Sequence, residues 1–264
     1  MKKKYFNIAW LIAVLLSFTA CNDFLDIQPV GKVMPKTGQE FRDLLTEAYS
    51  AITNDRGKTV YRSDELILDK GSTTSEGLNL YLDIWRWKDG SEDNNTISFG
   101  WRTFYYVSYI ANTVIEQKDG ITEASEAECN QLAGEAYMLR AYMHFILVNL
   151  YAEPYTHCDP TVTKGIPLKL NSDVKAVLSR NTVGEVYSSI LSDINEAEKL
   201  LNVETWPEGE TYRFNKLSVD AFRSRVYLYM GDWQNAYNKA KQVVETHGEL
   251  EDMTTSSVLP NHYH

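Results

Sequence analysis

The sequence has few cysteines and histidines, three and five among 264 residues, and their scarcity excludes several kinds of site. No CxxC pair and no His/Cys spacing typical of zinc ligands occurs, so we expect no metal site and no cofactor. His157-Cys158-Asp159 lies in a proline-bounded loop without a second cluster, which favours an ordinary loop. None of the histidines has a recognisable catalytic context, and the abundant carboxylates are typical of an acidic solvated surface. We therefore predict that the protein is not an enzyme.

Positive charge is also scarce, because 26 Lys and Arg residues stand against 36 Asp and Glu residues, for a net charge of −10. A surface of this sign argues against nucleic-acid binding and against electrostatic adhesion to anionic lipid. A long apolar run is missing too, since residues 8–16 are too few to cross a bilayer, which needs about 20 residues. Attachment to a membrane would therefore have to come from acyl chains.

The first 20 residues are typical of a lipoprotein signal peptide. Three lysines at positions 2–4 precede the short apolar run, which ends at Ala20-Cys21. Phe18 is too large for the −3 position of an ordinary signal-peptidase site, which favours a lipoprotein signal over simple secretion. We predict lipid attachment at Cys21. Removal of the three lysines would take the net charge from −10 to −13.

Apolar residues at spacings of three and four predict an all-α domain over residues 37–250, preceded by an extended tether over 21–36. Residues 37–40 (TGQE) and 182–185 (TVGE) form capping boxes, which mark the starts of two helices. Further helices are predicted at about 98–117, 123–151, 217–230 and 233–246. Long loops are predicted at 54–95 and across the proline-containing stretch after residue 151, and 251–264 remains an unassigned tail.

Residues 217–248 match the second half of a tetratricopeptide unit. Gly231 and Asp232 form the predicted turn, and Ala236 and Ala240 are small enough to let the two helices approach closely. Residues 132–151 with 182–201 form a second predicted pair, in which about 30 loop residues replace the turn. The sequence therefore predicts tetratricopeptide-like helix pairs with long loop insertions.

Two tryptophans in the loop 54–95 are the best candidates for ligand contact. Trp85 and Trp87 are followed by the amides of Asn94 and Asn95, and flat aromatics with nearby amides are what sugar rings require. The alternative is that the tryptophans pin the loop to the helical core. Trp206, which precedes Pro207 in another loop, could serve either role.

Other residues favour structural roles. Trp101, Tyr105 and Tyr109 have helical spacing and are predicted to lie in the core. Arg140 lies beside an apolar stripe, so it is either an anion clamp or an ion-paired residue that steadies a helix contact. Cys129 and Cys158 could form a disulfide in an exported protein, but the helical stripe that contains Cys129 favours a free thiol.

The chain resembles the SusD/RagB family of nutrient-binding outer-membrane lipoproteins. The resemblance extends over residues 21–245 and is carried by four segments in the family's order: CNDFLDIQP at 21–29, WRTFYYVSYIANTVIE at 101–116, the GEA, LRAY and LVNLY motifs within 134–151, and the stretch from Arg180 to Trp233. The third segment is the most specific.

This resemblance implies four tetratricopeptide-like helix pairs with loops that form a ligand site and no catalytic residues. It implies a protein at the cell outer membrane, facing the exterior, that passes an oligosaccharide or another nutrient to a TonB-dependent (SusC-like) transporter barrel. Family members are roughly twice as long, so the chain corresponds to the N-terminal half of one. The sequence leaves open a fragment, a truncated paralogue or a frame-shifted copy. The alternative function is a protein-interaction scaffold that binds no glycan.

Overall fold

The structure, a computed structural model, describes residues 35–52, 59–65, 81–82, 84–87 and 101–249. The chain divides into two units, Met1–Pro35 and Lys36–His264, and the second unit contains all the helices described below. The predicted signal peptide, Cys21, nearly all of the tether and the tail 251–264 lie outside the described residues.

Six α-helices form most of the described part of the second unit, which also contains a 3₁₀ turn at 59–62 and helical residues at 81–82 and 84–85. The six helices are α1 (Gly38–Ala51), α2 (Arg102–Gln117), α3 (Glu126–Tyr151), α4 (Val183–Leu200), α5 (Lys216–Met230) and α6 (Trp233–Thr246). Short 3₁₀ turns cover Lys118–Gly120 and Tyr155–His157. The described residues contain isolated β-bridges but no strand, so the predicted all-α class is confirmed.

Helix α3 is the centre of the fold. It packs against α1, α2 and α4, and it is buried nearly all round, as expected for a helix with apolar residues on every face. Gly134 permits the close approach of α4, because a Cβ built at this position would lie 2.8 Å from Cγ of Leu201. The pairing of α3 with α4 that the sequence predicts is therefore confirmed.

Helices α5 and α6 form the second predicted pair and join through the expected turn. Gly231 has a φ of 76° and caps α5, and its N–H donates to the carbonyls of Leu228 and Tyr227. Ala236 is the one buried residue of α6 and lies against α5. An adjacent side of α6 carries exposed apolar side chains, with Trp233 66% and Tyr237 62% exposed.

Two helix starts differ from the predicted positions. Helix α2 begins at Arg102 and not Ser98, and α3 begins at Glu126 and not Glu123. The cause at α3 is a capping box that sequence reasoning missed, since the Ser125 hydroxyl accepts from the Glu128 N–H and the Glu128 carboxylate accepts from the Ser125 N–H. The predicted capping boxes of α1 and α4 are both present.

The long connection between α3 and α4 is fixed to the helices by hydrogen bonds. Asn112 of α2 donates through Nδ2 to the carbonyls of Lys169 and Asn171, at 3.0 and 2.9 Å. The Tyr105 hydroxyl donates to the Pro167 carbonyl at 2.7 Å. The predicted loop between α3 and α4 is therefore packed against α2.

Candidate ligand-binding surface

Trp85 lies at the end of a short helical segment, Trp87 lies in the turn that follows it, and both are exposed. Their exposed fractions are 43% and 66%, whereas the neighbouring Ile84 is only 4% exposed. Nε of Arg62 donates to the Ile84 carbonyl at 3.2 Å, which ties this segment to residues 59–65. Ile84, and not either tryptophan, is therefore the residue that anchors this part of the loop.

The backbone of Trp87 is in the left-handed region, with a φ of 58°. A bulky residue rarely adopts this conformation, and the strain that it costs is concentrated at functional sites in proteins. The guanidinium carbon of Arg62 lies 5.1 Å from the centroid of the Trp87 ring, within cation–π distance. The exposed Trp87 ring therefore lies beside the Arg62 guanidinium, and the backbone of Trp87 is strained in this position.

A stacked pair of tyrosines completes this region. The Tyr61 and Tyr81 rings lie 4.4 Å apart at an interplanar angle of 12°, and burial raises the pKa of the Tyr61 hydroxyl. We call Tyr61, Tyr81, Trp85 and Trp87 the aromatic surface. The predicted amides Asn94 and Asn95 lie outside the described residues.

Trp101 does not lie in the core, contrary to the prediction. It is 39% exposed and stacks on Tyr151 at 4.2 Å and on Tyr105 at 5.7 Å. The reason is that α2 starts at Arg102, so Trp101 precedes the helix and does not continue its buried face. Tyr105 and Tyr109 are half-buried and pack against the core.

Trp206, whose role the sequence left open, is held by its neighbours. Its Nε1 donates to the Phe214 carbonyl at 3.1 Å, and the guanidinium carbons of Arg42 and Arg213 lie 5.5 and 5.1 Å from its ring centroid. Trp206 also lines a cavity beside α1 and α3. It therefore steadies the connection between α4 and α5 and forms part of a concave surface.

Arg140 is an ion-paired structural residue. Its guanidinium contacts both carboxylate oxygens of Asp193, at 2.8 and 2.6 Å, and donates to Oδ1 of Asn112 at 2.7 Å. Burial raises the pKa of Asp193, and the adjacent guanidinium opposes that shift. This buried network joins α2, α3 and α4, so the ion-pair alternative holds and the anion clamp is wrong.

The described residues contain no group of His, Cys, Asp and Glu side chains that could hold a metal ion. Cys129 and Cys158 are both half-buried free thiols. Among the helices that the structure describes, none combines the length and the apolar character needed to cross a membrane.

Two tight helix pairs, long ordered connections and a loop-borne aromatic surface define an all-α protein of the tetratricopeptide type. Within that class, the chain belongs to the SusD-like family. The sequence profile of this family, described as starch-binding and associating with the outer membrane, matches residues 23–228, which is more than half of the chain. The predicted family membership is therefore confirmed.

Curated relatives are matched along most of this chain but over less than half of their own length. SusD-like protein P38 of Formosa agariphila is 27% identical over 252 residues, which cover 89% of this chain and 44% of the relative. A SusD-like protein of Bacteroides ovatus is 26% identical over 241 residues, which cover 89% of this chain and 41% of the relative. The chain thus spans about half the length of the curated relatives that it matches.

Solved structures have the same fold. A SusD superfamily protein from Bacteroides thetaiotaomicron superimposes with a TM-score of 0.67 at 26% identity, covering 81% of this chain and 48% of that one. A laminarin-binding SusD-like protein superimposes with a TM-score of 0.65 at 21% identity, covering 82% of this chain and 45% of that one. These superpositions confirm the predicted SusD-like arrangement of tetratricopeptide-type helices.

Proposed function

We propose that this chain is a carbohydrate-binding part of an outer-membrane nutrient-uptake system, and that it contacts glycan through the aromatic surface. The observation that carries the proposal is the exposure of Trp85 and Trp87 on a loop whose anchor is Ile84. Indole rings stack on the apolar faces of sugar rings and lose little conformational entropy in doing so. The family description and the laminarin-binding neighbour support the same ligand class.

The backbone strain at Trp87 supports a role beyond loop packing. If Trp87 served only to pin the loop, its ring would be buried, yet two thirds of the residue faces solvent. Arg62 lies beside the ring within cation–π distance, so the indole keeps a fixed position at the surface. Asn94 and Asn95 remain proposed ligand contacts, because they follow the tryptophans closely in sequence.

Affinity electrophoresis in gels that contain starch, laminarin or other neutral polysaccharides tests this proposal. We expect retardation of the wild-type chain by at least one polysaccharide, and a much smaller retardation of the Trp85→Ala/Trp87→Ala variant. The matched control is Trp233→Ala, because Trp233 is 66% exposed, the same fraction as Trp87, but lies on α6. Equal retardation of the wild type and the double variant would place the ligand elsewhere.

The attachment proposed for this chain is acylation of Cys21, and the transport partner proposed for it is a TonB-dependent, SusC-like barrel. The sequence of residues 1–21 supports the first, and family membership supports the second. In the native host, Cys21→Ala should move the protein from the membrane fraction to the soluble fraction, because an unacylated acidic chain has no lipid anchor. A Cys129→Ala variant is the control. If Cys21→Ala stays in the membrane fraction, the anchor is not at this residue.

A second candidate function is a protein-interaction scaffold without glycan binding. The observation that favours it is the exposed apolar side of α6, where Trp233, Tyr237 and Val244 are each more than 60% exposed. The polysaccharide gels separate the two functions, because a scaffold migrates at the same rate in every gel.

A further inference from the structure

A cavity of about 400 Å³ lies beside the N-terminal turns of α1 and α3 and the segment 201–206. Its volume is within the range of small-ligand sites. The described residues that line it come from these three elements and from Glu123 and Ala124, which precede α3, and none of them belongs to the aromatic surface. The cavity is therefore a separate concave feature of the fold.

The floor and one wall of the cavity are already fixed by internal hydrogen bonds. Gln131, at the floor, is 3% exposed, and its Oε1 accepts from the N–H groups of Asn202 and Val203 at 2.9 and 3.0 Å. Its Nε2 donates to Oε1 of the buried Glu135 at 3.0 Å. Trp206 is fixed by its bond to Phe214. A ligand that enters the cavity thus meets a preformed surface, which lowers the entropic cost of binding.

The lining combines apolar and polar groups, as a sugar site requires. Leu132 and Val203 provide apolar carbon, and Trp206 provides an aromatic ring that Arg42 and Arg213 hold in place. The amide nitrogens of Gln39 and Asn202 already donate to Asp43 and to the Ala127 and Leu200 carbonyls, whereas their amide oxygens can accept from sugar hydroxyls.

The charges at the cavity disfavour an anionic ligand. The Arg42 guanidinium is held by both oxygens of Glu135, at 2.8 and 2.9 Å, so its charge is already paired. Glu123 and Glu128 add two carboxylates, and hydrogen bonds from Ser125 lower the pKa of Glu128, which is therefore ionised at neutral pH. Like-charge repulsion at these two carboxylates would reject uronic or sulfated sugars.

The N-termini of α1 and α3, which would otherwise attract anions, are also occupied. Glu40 accepts from the Lys36 and Thr37 N–H groups at 2.7 and 2.9 Å, and Glu128 accepts from the Ser125 N–H at 2.8 Å. These carboxylates offset the positive ends of the helix dipoles. The backbone of Glu123, with a φ of 54°, adds a strained position at the rim of the cavity.

We propose that this cavity is a second carbohydrate site, which takes one or two units of a neutral glycan. The proposal rests on the carbohydrate-binding function proposed above, but it assigns a different set of residues.

Filling the cavity tests the proposal directly. Ala127 is exposed, lies in the first turn of α3 and lines the cavity, and Ala127→Trp adds an indole while it removes only a methyl group. Glu126→Trp is the matched control, since Glu126 is the preceding exposed residue and is not among the lining residues. In a second filling variant, Gln39→Trp, the new side chain fills the cavity from α1 and not from α3. This change removes one hydrogen bond, the one from Gln39 to Asp43.

The measurement is calorimetric titration of the Trp85→Ala/Trp87→Ala chain with malto-oligosaccharides, laminari-oligosaccharides and, as an acidic probe, alginate oligosaccharides. We expect residual binding of a neutral oligosaccharide, weakened at least tenfold by Ala127→Trp and by Gln39→Trp but not by Glu126→Trp, and no binding of alginate. Circular dichroism establishes that each variant is folded.

Different results separate the cavity from the proposed function. If the wild type binds a glycan but the double tryptophan variant binds none, or if both filling variants bind as before, the cavity proposal is overturned while the aromatic surface stands. If the double variant binds as tightly as the wild type and Ala127→Trp abolishes binding, the cavity stands and the aromatic surface fails. If the wild type binds no glycan of the panel, both proposals fall.

Discussion

At the scale of single residues, Arg140 shows what the spacing of apolar residues can and cannot predict about a charged side chain. Its position beside an apolar stripe indicates a side chain near a helix contact. The stripe does not indicate which residues contact the guanidinium group. The structure provides Asp193 on α4 and Asn112 on α2, residues 53 and 28 positions away along the chain. Such partners depend on tertiary packing, so the sequence could offer only two alternatives.

His144 gives a residue-scale prediction about pH. The side chain is fully buried on α3, and neither ring nitrogen has a hydrogen-bond partner among the residues that the structure describes. Burial together with nearby Arg140 lowers its pKa to about 3. Since the unfolded chain binds a proton near pH 6.5, stability is fully present above that pH and is lost as the pH falls toward 3. A fall from pH 8 to pH 5 should therefore lower the free energy of unfolding by about 2 kcal/mol through this residue alone.

The variant His144→Leu tests this prediction. Urea unfolding at pH 8 and at pH 5 gives the loss of unfolding free energy between the two pH values. This loss should be about 2 kcal/mol smaller in the variant than in the wild type. At pH 8 the variant should be at least as stable as the wild type, because it removes a buried polar group that lacks a partner. An unchanged difference between the two pH values would mean that His144 is protonated as readily in the folded chain as in the unfolded one.

At the scale of helices and turns, capping chemistry decides which boundaries the sequence predicts well. The starts of α1 and α4 follow from their capping boxes, and the α5–α6 turn follows from Gly231-Asp232. The start of α3 is predicted three residues too early, because the segment 122–126 is polar apart from one alanine and apolar periodicity does not distinguish one start from another there. The turn also provides a test.

Gly231→Ala should destabilise the chain by about 1–2 kcal/mol, because alanine at a φ of 76° is strained. The added methyl would also lie 3.0 Å from Cγ2 of Thr156, so that contact must shift. Gly209→Ala is the control, since Gly209 has a φ of 87° but no atom within 4 Å of a built Cβ. Urea unfolding should rank Gly231→Ala as the more costly change. A cost no larger than that of Gly209→Ala would mean that the Thr156 contact is absent.

At the scale of the whole molecule, the helical frame was predictable and the ligand-facing surfaces were only partly so. The frame follows from apolar periodicity, caps and a Gly turn, which act between residues close in sequence. Whether Trp85 and Trp87 face solvent depends on how Ile84 packs, and the cavity beside α1 forms from segments about 165 residues apart, such as Gln39 and Trp206. Neither arrangement has a local sequence signal.

The chain also spans about half the length of the curated relatives that it matches. The proposed function requires that this chain bind neutral glycan by itself, with Trp85 and Trp87 as the main contact. Because truncation of an aromatic anchor commonly costs more than 1 kcal/mol, their joint removal should weaken binding about tenfold or more.

The most direct test is calorimetric titration of the purified chain with an oligosaccharide of whichever polysaccharide retards it in the gel. We predict saturable binding by the wild type and by Trp233→Ala, with a Kd at least tenfold weaker in Trp85→Ala/Trp87→Ala. The absence of any binding heat from the wild type across neutral oligosaccharides, or an equal Kd in all three proteins, would contradict the account.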